Sequence, residues 1–137
     1  MLRSVLAVIA GFVVIALLAL GSDAIARSIA PDKFGPGGQV GDVGLLVLTE
    51  IYVFIFAAFG CYLCARIAKR RPMFHALVLG VLGLVFNVIG ASMTWQLYPR
   101  WYTVIGLLAV MPAAWIGGRI AERQMTTRPV TLAGAAA

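Results

Sequence analysis

Four long apolar runs constrain this chain more than any other feature. Residues 4–22 are uncharged, and residues 43–65 carry only Glu50. Residues 72–98 carry no charge beyond His75, and residues 101–118 carry none. A helix rises about 1.5 Å per residue, so about 20 apolar residues cross a hydrocarbon layer about 30 Å thick. In lipid every backbone N–H and C=O must be satisfied within its own segment or in a closed barrel. The runs are too long and too evenly apolar for barrel strands. The expected fold is all-α, an integral membrane four-helix antiparallel bundle with helices at about 4–29, 43–67, 73–97 and 101–121. These make one domain over 1–123, followed by a tail at 124–137 that is polar and then small. The first run also has a signal-like site at Ala19-Leu20-Gly21, but its apolar stretch is longer than that of a signal peptide. It is read as a retained span.

Composition agrees. The chain is 62% hydrophobic and 12% charged, with a mean hydropathy of +0.99. Soluble domains are about 45–50% apolar and about 25% charged, and disordered chains are more polar still. The net charge of +6 would point to nucleic acid in a soluble protein. Here it marks sidedness, and no nucleic-acid partner is expected. With the N-terminus inside, eight basic residues fall on the inner face: Arg3, Arg66, Lys69, Arg70, Arg71, Arg119, Arg123 and Arg128. Three fall outside: Arg27, Lys33 and Arg100. The bias places both termini in the cytoplasm (N-in/C-in). Trp95, Tyr98, Trp101 and Tyr102 gather at the outer turn between helices three and four, as an interfacial belt should.

The loops are unequal. The second and third connections are short, which makes neighbours of the helices they join. Pro72 suits a helix start, and Pro112 should kink the fourth helix. Asp23 and Arg27 stand at i, i+4 near the end of the first helix, which Pro31 stops. The following loop contains Gly35-Pro36-Gly37-Gly38 and Gly41. It lacks the Lys-Ser/Thr of a phosphate-cradling loop and is read as an outer connector.

Small residues recur at helical spacing. Helix three carries Ala76, Gly80, Gly83, Asn87, Gly90 and Thr94, helix four Ala109, Ala113, Gly117 and Ala121, and helix one Ala7 and Gly11. Membrane helices associate through such stripes. Gly80, Gly83, Gly90, Ala109, Ala113 and Gly117 are therefore expected to pack, within the bundle or against another subunit.

Glu50 is the sharpest chemical candidate. It lies about seven residues into helix two, or roughly 10 Å below the outer boundary. An acid at this kind of site costs up to about 2.5–3.5 kcal/mol on insertion scales, so it must pair, take a proton or line water. Asn87 lies at a similar depth, and Thr49, Tyr52, Asp23 and Arg27 share the same outer half. Two readings stay open: Glu50 with Asn87 takes a proton, cation or small cationic solute, or Glu50 reaches the outer interface or bonds Asn87 and a basic residue as a structural clasp. Cys61 and Cys64 share a helix face, and His75 stands opposite them across the turn. They are weak metal candidates, and the expected metal is none, because one Cys-x-x-Cys without a second pair or a histidine pair is the mark of buried small residues. Haem held by two histidines is excluded within one chain, since His75 is the only one. Arg66, Lys69, Arg70 and Arg71 are candidates for anionic lipid headgroups, although sidedness alone explains them. No nucleophile–base set exists, so an enzyme is not expected, and no cofactor is.

Three segments carry a resemblance: Arg3-Ser4-Val5-Leu6-Ala7-Val8-Ile9-Ala10-Gly11-Phe12, the Ala65-Arg66-Ile67-Ala68 and Arg71-Pro72 turn, and Pro99-Arg100-Trp101-Tyr102 with Pro112-Ala113-Ala114-Trp115-Ile116-Gly117-Gly118-Arg119. In these the chain resembles a diffuse group of small uncharacterised bacterial inner-membrane proteins with four helices. The resemblance implies a fold and a location in the bacterial inner membrane, and no activity. The acid that small multidrug transporters place in their first helix is missing here. Asn87-Val88-Ile89-Gly90 looks like a segment of the dual-topology fluoride channels, but their glycine-rich first helix is missing and the charge bias opposes dual topology. The expected role is a non-enzymatic accessory or structural subunit of a larger membrane complex, with the lipid bilayer and other subunits or a second copy as partners. The alternative is a small homo-oligomeric transporter or channel built on Glu50.

Overall fold

A computed structural model describes residues 2–36, 39–68 and 71–126. They form four long helices: α1 (Leu2–Ile29), α2 (Val43–Ala68), α3 (Pro72–Thr94) and α4 (Arg100–Thr126). A 3₁₀ turn at Pro31–Lys33 follows α1. Proline lacks an N–H and pushes the residue before it out of the helical region. Ala30 accordingly sits at φ −133°, ψ 63°, and α1 ends there. An isolated bridge between Phe34 and Val40 folds the linker back on itself, and Val40 is buried.

Asp42 starts α2. Its Oδ1 accepts the Leu45 N–H at 2.7 Å, and its carbonyl accepts the Leu46 N–H at 3.1 Å, the pattern of an N-cap. Lys33 Nζ stands 3.2 Å from Asp42 Oδ2. The Leu45 amide first, and Lys33 second, hold the Asp42 carboxyl below its ordinary value. The unfolded chain then binds this proton more readily than the folded one. The stabilisation is present above the ordinary carboxylate range and is lost as pH falls through the lowered folded value. Acidification through the lowered value should therefore reduce the protection factor of the Leu45 amide, its exchange measured against the intrinsic rate at the same pH. In Asp42→Ala exchange there should be fast at neutral pH too, and an unchanged rate would remove the cap.

The short α2–α3 connection closes with Arg71 in the left-handed region (φ 51°, ψ 60°) directly before Pro72. Proline at the first helical position fits its fixed φ, and it disfavours the right-handed helical region for Arg71. The end of α3 falls at Thr94, short of the sequence expectation. Thr94 Oγ1 donates back to the Gly90 carbonyl at 2.9 Å, and the Leu97 N–H closes a turn on the Thr94 carbonyl at 2.9 Å. By contrast α4 runs unbroken through Pro112 and past residue 121 to Thr126. Good helix formers and an Arg119–Glu122 pair at 3.1 Å carry it beyond its apolar run. The rest of the tail, 127–137, lies outside the described residues.

Packing runs through small residues. α4 packs on α2 and α3, α1 packs on α2, and α1 and α3 touch least among the long helices in contact. A Cβ at Gly11 would lie 2.8 Å from the Gly60 carbonyl oxygen and 2.9 Å from Cys64 Cβ. A Cβ at Gly117 would strike the Ala58 carbonyl and come within 2.9 Å of the Tyr62 nitrogen. Around these approaches Ala7, Cys61, Cys64, Ala65, Ala76, Leu79, Ala114 and Ala121 form the core. Gly80, Ala113 and Gly117 are buried as the stripes require, while Gly83 and Ala109 are half-buried.

Gly90 does not pack within the bundle. Nothing lies within 4 Å of a Cβ built there, and every residue from 85 to 90 of α3 is exposed. The rings of Phe12 and Phe86 meet at 5.1 Å. Two rings between α1 and α3 need more room than two glycines do, and beyond them α3 loses its neighbours. The exterior is apolar, with Leu17 65%, Leu20 68% and Leu108 70% exposed.

Candidate functional site

Where α3 loses its neighbours, the four helices leave a cavity of about 600 Å³. Phe12, Ile15, Ala19 and Leu20 line it from α1, and Glu50, Val53, Ala57 and Cys61 from α2. α3 adds Leu79, Gly80, Gly83, Phe86, Asn87 and Gly90, and α4 adds Tyr102, Thr103, Gly106 and Val110. Thr94 and Tyr98 line it at the end nearer the α3–α4 turn. Cys61, Leu79 and Gly80 belong to the tightly packed part of the bundle and close the other end.

Among the described residues, Glu50 is the only charged side chain on this wall. Gly106 makes its place: a Cβ on Gly106 would lie 2.9 Å from Glu50 Oε1. The carboxylate makes no hydrogen bond and no ion pair among the described residues. The Glu50–Asn87 bond of the clasp reading is not made. Asn87 shares the cavity wall and is itself exposed. An unpaired carboxylate in a mostly apolar chamber attracts a cation more strongly than one in water does.

The rim is built separately. Tyr52 donates its hydroxyl to Asp23 Oδ1 at 2.6 Å, which ties α2 to α1. Arg27 does not pair with Asp23; its guanidinium lies over the Phe34 ring, 5.1 Å from the centroid. Asp23, Arg27, Phe34, Tyr52, Tyr98 and Tyr102 surround a small crevice of about 50 Å³. The linker and the α3–α4 turn therefore lie at the same end of the molecule. The Tyr98 and Tyr102 rings stand 5.3 Å apart there, with Trp101 edge-on to Tyr102. Thr49 Oγ1 is turned inward to its own helix, donating to the Leu45 carbonyl at 2.9 Å.

The other candidates lie at the opposite end. Cys61 and Cys64 are buried and free. The structure does bring Cys64 and His75 level, with Cys64 Sγ donating to the His75 carbonyl at 3.6 Å. The His75 ring turns away, with Nδ1 3.1 Å from the Arg71 carbonyl. Among the described residues no three His, Cys, Asp or Glu side chains come together as metal ligands would. Arg66 is engaged within the protein: it donates to Tyr62 Oη at 2.7 Å and to Gln124 Oε1 at 3.3 Å, and Tyr62 donates to Gln124 Oε1 at 2.7 Å. Arg71 is exposed, and Lys69 and Arg70 lie outside the described residues.

Sequence reasoning missed Gly106 and treated Tyr98 and Tyr102 as interfacial belt alone. A signal for Gly106 existed. It stands three residues before Ala109, so the small-residue stripe of the fourth helix extends back to it.

No family model matches the chain, and no curated protein or solved structure matches it significantly. Its class comes from its own build. Four helices (Ser4–Ile29, Val43–Ala68, Pro72–Thr94 and Arg100–Thr126) are each long and apolar enough to cross a bilayer, and the chain is an all-α, multi-pass membrane protein.

Proposed function

We propose that this chain is a small, non-enzymatic transporter or channel of the bacterial inner membrane that takes a proton, a cation or a small cationic solute at Glu50. One observation carries this: the Glu50 carboxylate lines a cavity of about 600 Å³ and has no hydrogen bond or ion pair among the described residues. Acids within membrane spans face cavities and pathways far more often than lipid. The helices form an antiparallel bundle with both termini cytoplasmic, supported by the eight-to-three basic bias. The mouth by Tyr98 and Tyr102 then faces outward. The floor at Cys61, Leu79 and Gly80 is the part that must separate during transport. Proteoliposomes holding the parent protein should pass protons or monovalent cations. Glu50→Gln should lower that flux at least about tenfold, a loss of about 1.4 kcal/mol or more in coupling. An unchanged flux in the variant, or none in the parent, overturns the proposal.

A second reading is favoured by a different observation. Each residue from 85 to 90 of α3 is exposed, which leaves room for another membrane subunit or a second copy against Asn87 and Gly90. On this reading the chain is an accessory or structural subunit of a larger complex. Sizing in mild detergent should then show an assembly, and a uniform monomer would remove this reading.

A further inference from the structure

We infer that the cavity is built for a hydrophobic organic cation, an amphiphilic ammonium or phosphonium-like solute, which enters from the lipid between α1 and α3; this rests on the proposed cation site at Glu50. Three features of the wall select that class. Its charge is a single carboxylate, held where Gly106 leaves space, and its other lining is dominated by side chains such as Phe12, Leu20 and Phe86. A small hydrated ion would have to shed water here without the several oxygen ligands that compensate it, whereas an apolar cation carries its own greasy surface. Near Glu50, Tyr98 and Tyr102 add ring faces, which attract diffuse positive charge. The volume of about 600 Å³ falls in the range of sites for drug-sized molecules, about 300–1,000 Å³, and is far larger than an ion needs.

The route follows from exposure. Phe12 and Phe86 close the α1–α3 gap at one level. Past Phe86, residues 87–90 of α3 are exposed, and Asn87 and Gly90 belong both to this exposed stretch and to the cavity wall. The cavity is therefore continuous with the lipid-facing side of the bundle. Gly90 is the point at which it can be blocked, since a side chain there meets nothing within 4 Å.

Equilibrium binding of tetraphenylphosphonium to the full chain in nanodiscs tests this, with tetramethylammonium as the small-cation comparison. Tetraphenylphosphonium should bind, and at least about tenfold more tightly than tetramethylammonium. Glu50→Gln should weaken it at least about tenfold by removing the charge, and Gly90→Leu about fivefold or more by filling the entry. Retained binding in Glu50→Gln would show an apolar slot that ignores charge and would overturn the inference. So would Glu50-dependent flux of protons or small cations with no binding of tetraphenylphosphonium, although the proposed function would then stand. Neither binding nor Glu50-dependent flux would remove both.

Discussion

Glu50→Leu should yield a protein harder to unfold than the parent, by about 1–3 kcal/mol, while abolishing the proposed cation flux. The sign follows from what Glu50 touches. It gives up no hydrogen bond and no ion pair among the described residues when replaced, so nothing is left orphaned. The change relieves the cost of keeping an acid among apolar neighbours. That cost is at the low end of insertion scales, because the side chain is half-buried rather than enclosed. A leucine ends one atom short of the carboxylate oxygens, so it clears the approach to Gly106. Unfolding in mixed detergent–denaturant micelles reads the difference directly. If Glu50 were a structural clasp, the same variant would be less stable than the parent, as would Glu50→Gln. Functional groups that cost stability are the expected pattern at a working site.

The second large effect is mechanical. Gly117→Val should cost about 3 kcal/mol or more, the upper end of overpacking. The new carbon atoms would meet the Ala58 carbonyl and the Tyr62 nitrogen, with Cys61 Cβ at 3.0 Å. Two of these are backbone atoms of α2, which cannot swing aside as a side chain can. Since α2 and α4 form the most extensive contact in the bundle, their separation should also deform the cavity. Gly90→Val is the control: no atom lies near it, so its stability should stay within about 0.5 kcal/mol of the parent. Thermal unfolding of both variants in one detergent checks the pair. Equal tolerance at the two glycines would contradict the packing described here.

That contrast also shows what the sequence could and could not reveal. Span number and approximate limits were legible because lipid forces continuous apolar helices, and charge leaves no ambiguity in runs as clean as residues 72–98. The cap at Asp42 and the stop at Pro31 follow from local chemistry. The fate of the third helix's stripe was not legible. Ala76, Gly80 and Gly90 share one face, yet the first two pack and the third does not. The difference depends on Phe12 of another helix meeting Phe86, a long-range contact that no local pattern encodes. For the same reason the depth of Glu50 could be counted from the chain, but its lack of a bond to Asn87 could not. The space it occupies is set by Gly106, whose place on the facing wall depends on how α4 is rotated against α2. Asp23 was legible as a partner for Arg27 by spacing, and tertiary structure gave it to Tyr52 instead.

The most direct measurement is covalent labelling of Glu50. The full chain in nanodiscs, at mildly acidic pH, is treated with dicyclohexylcarbodiimide, which reaches carboxyl groups from the lipid phase, and adducts are mapped by mass spectrometry. An accessible, unpartnered carboxyl should take one adduct at Glu50, lost in Glu50→Gln, and its formation should slow as tetraphenylphosphonium or a smaller cation is titrated in. No adduct at Glu50, or labelling indifferent to every cation tried, would contradict a cation site at this residue.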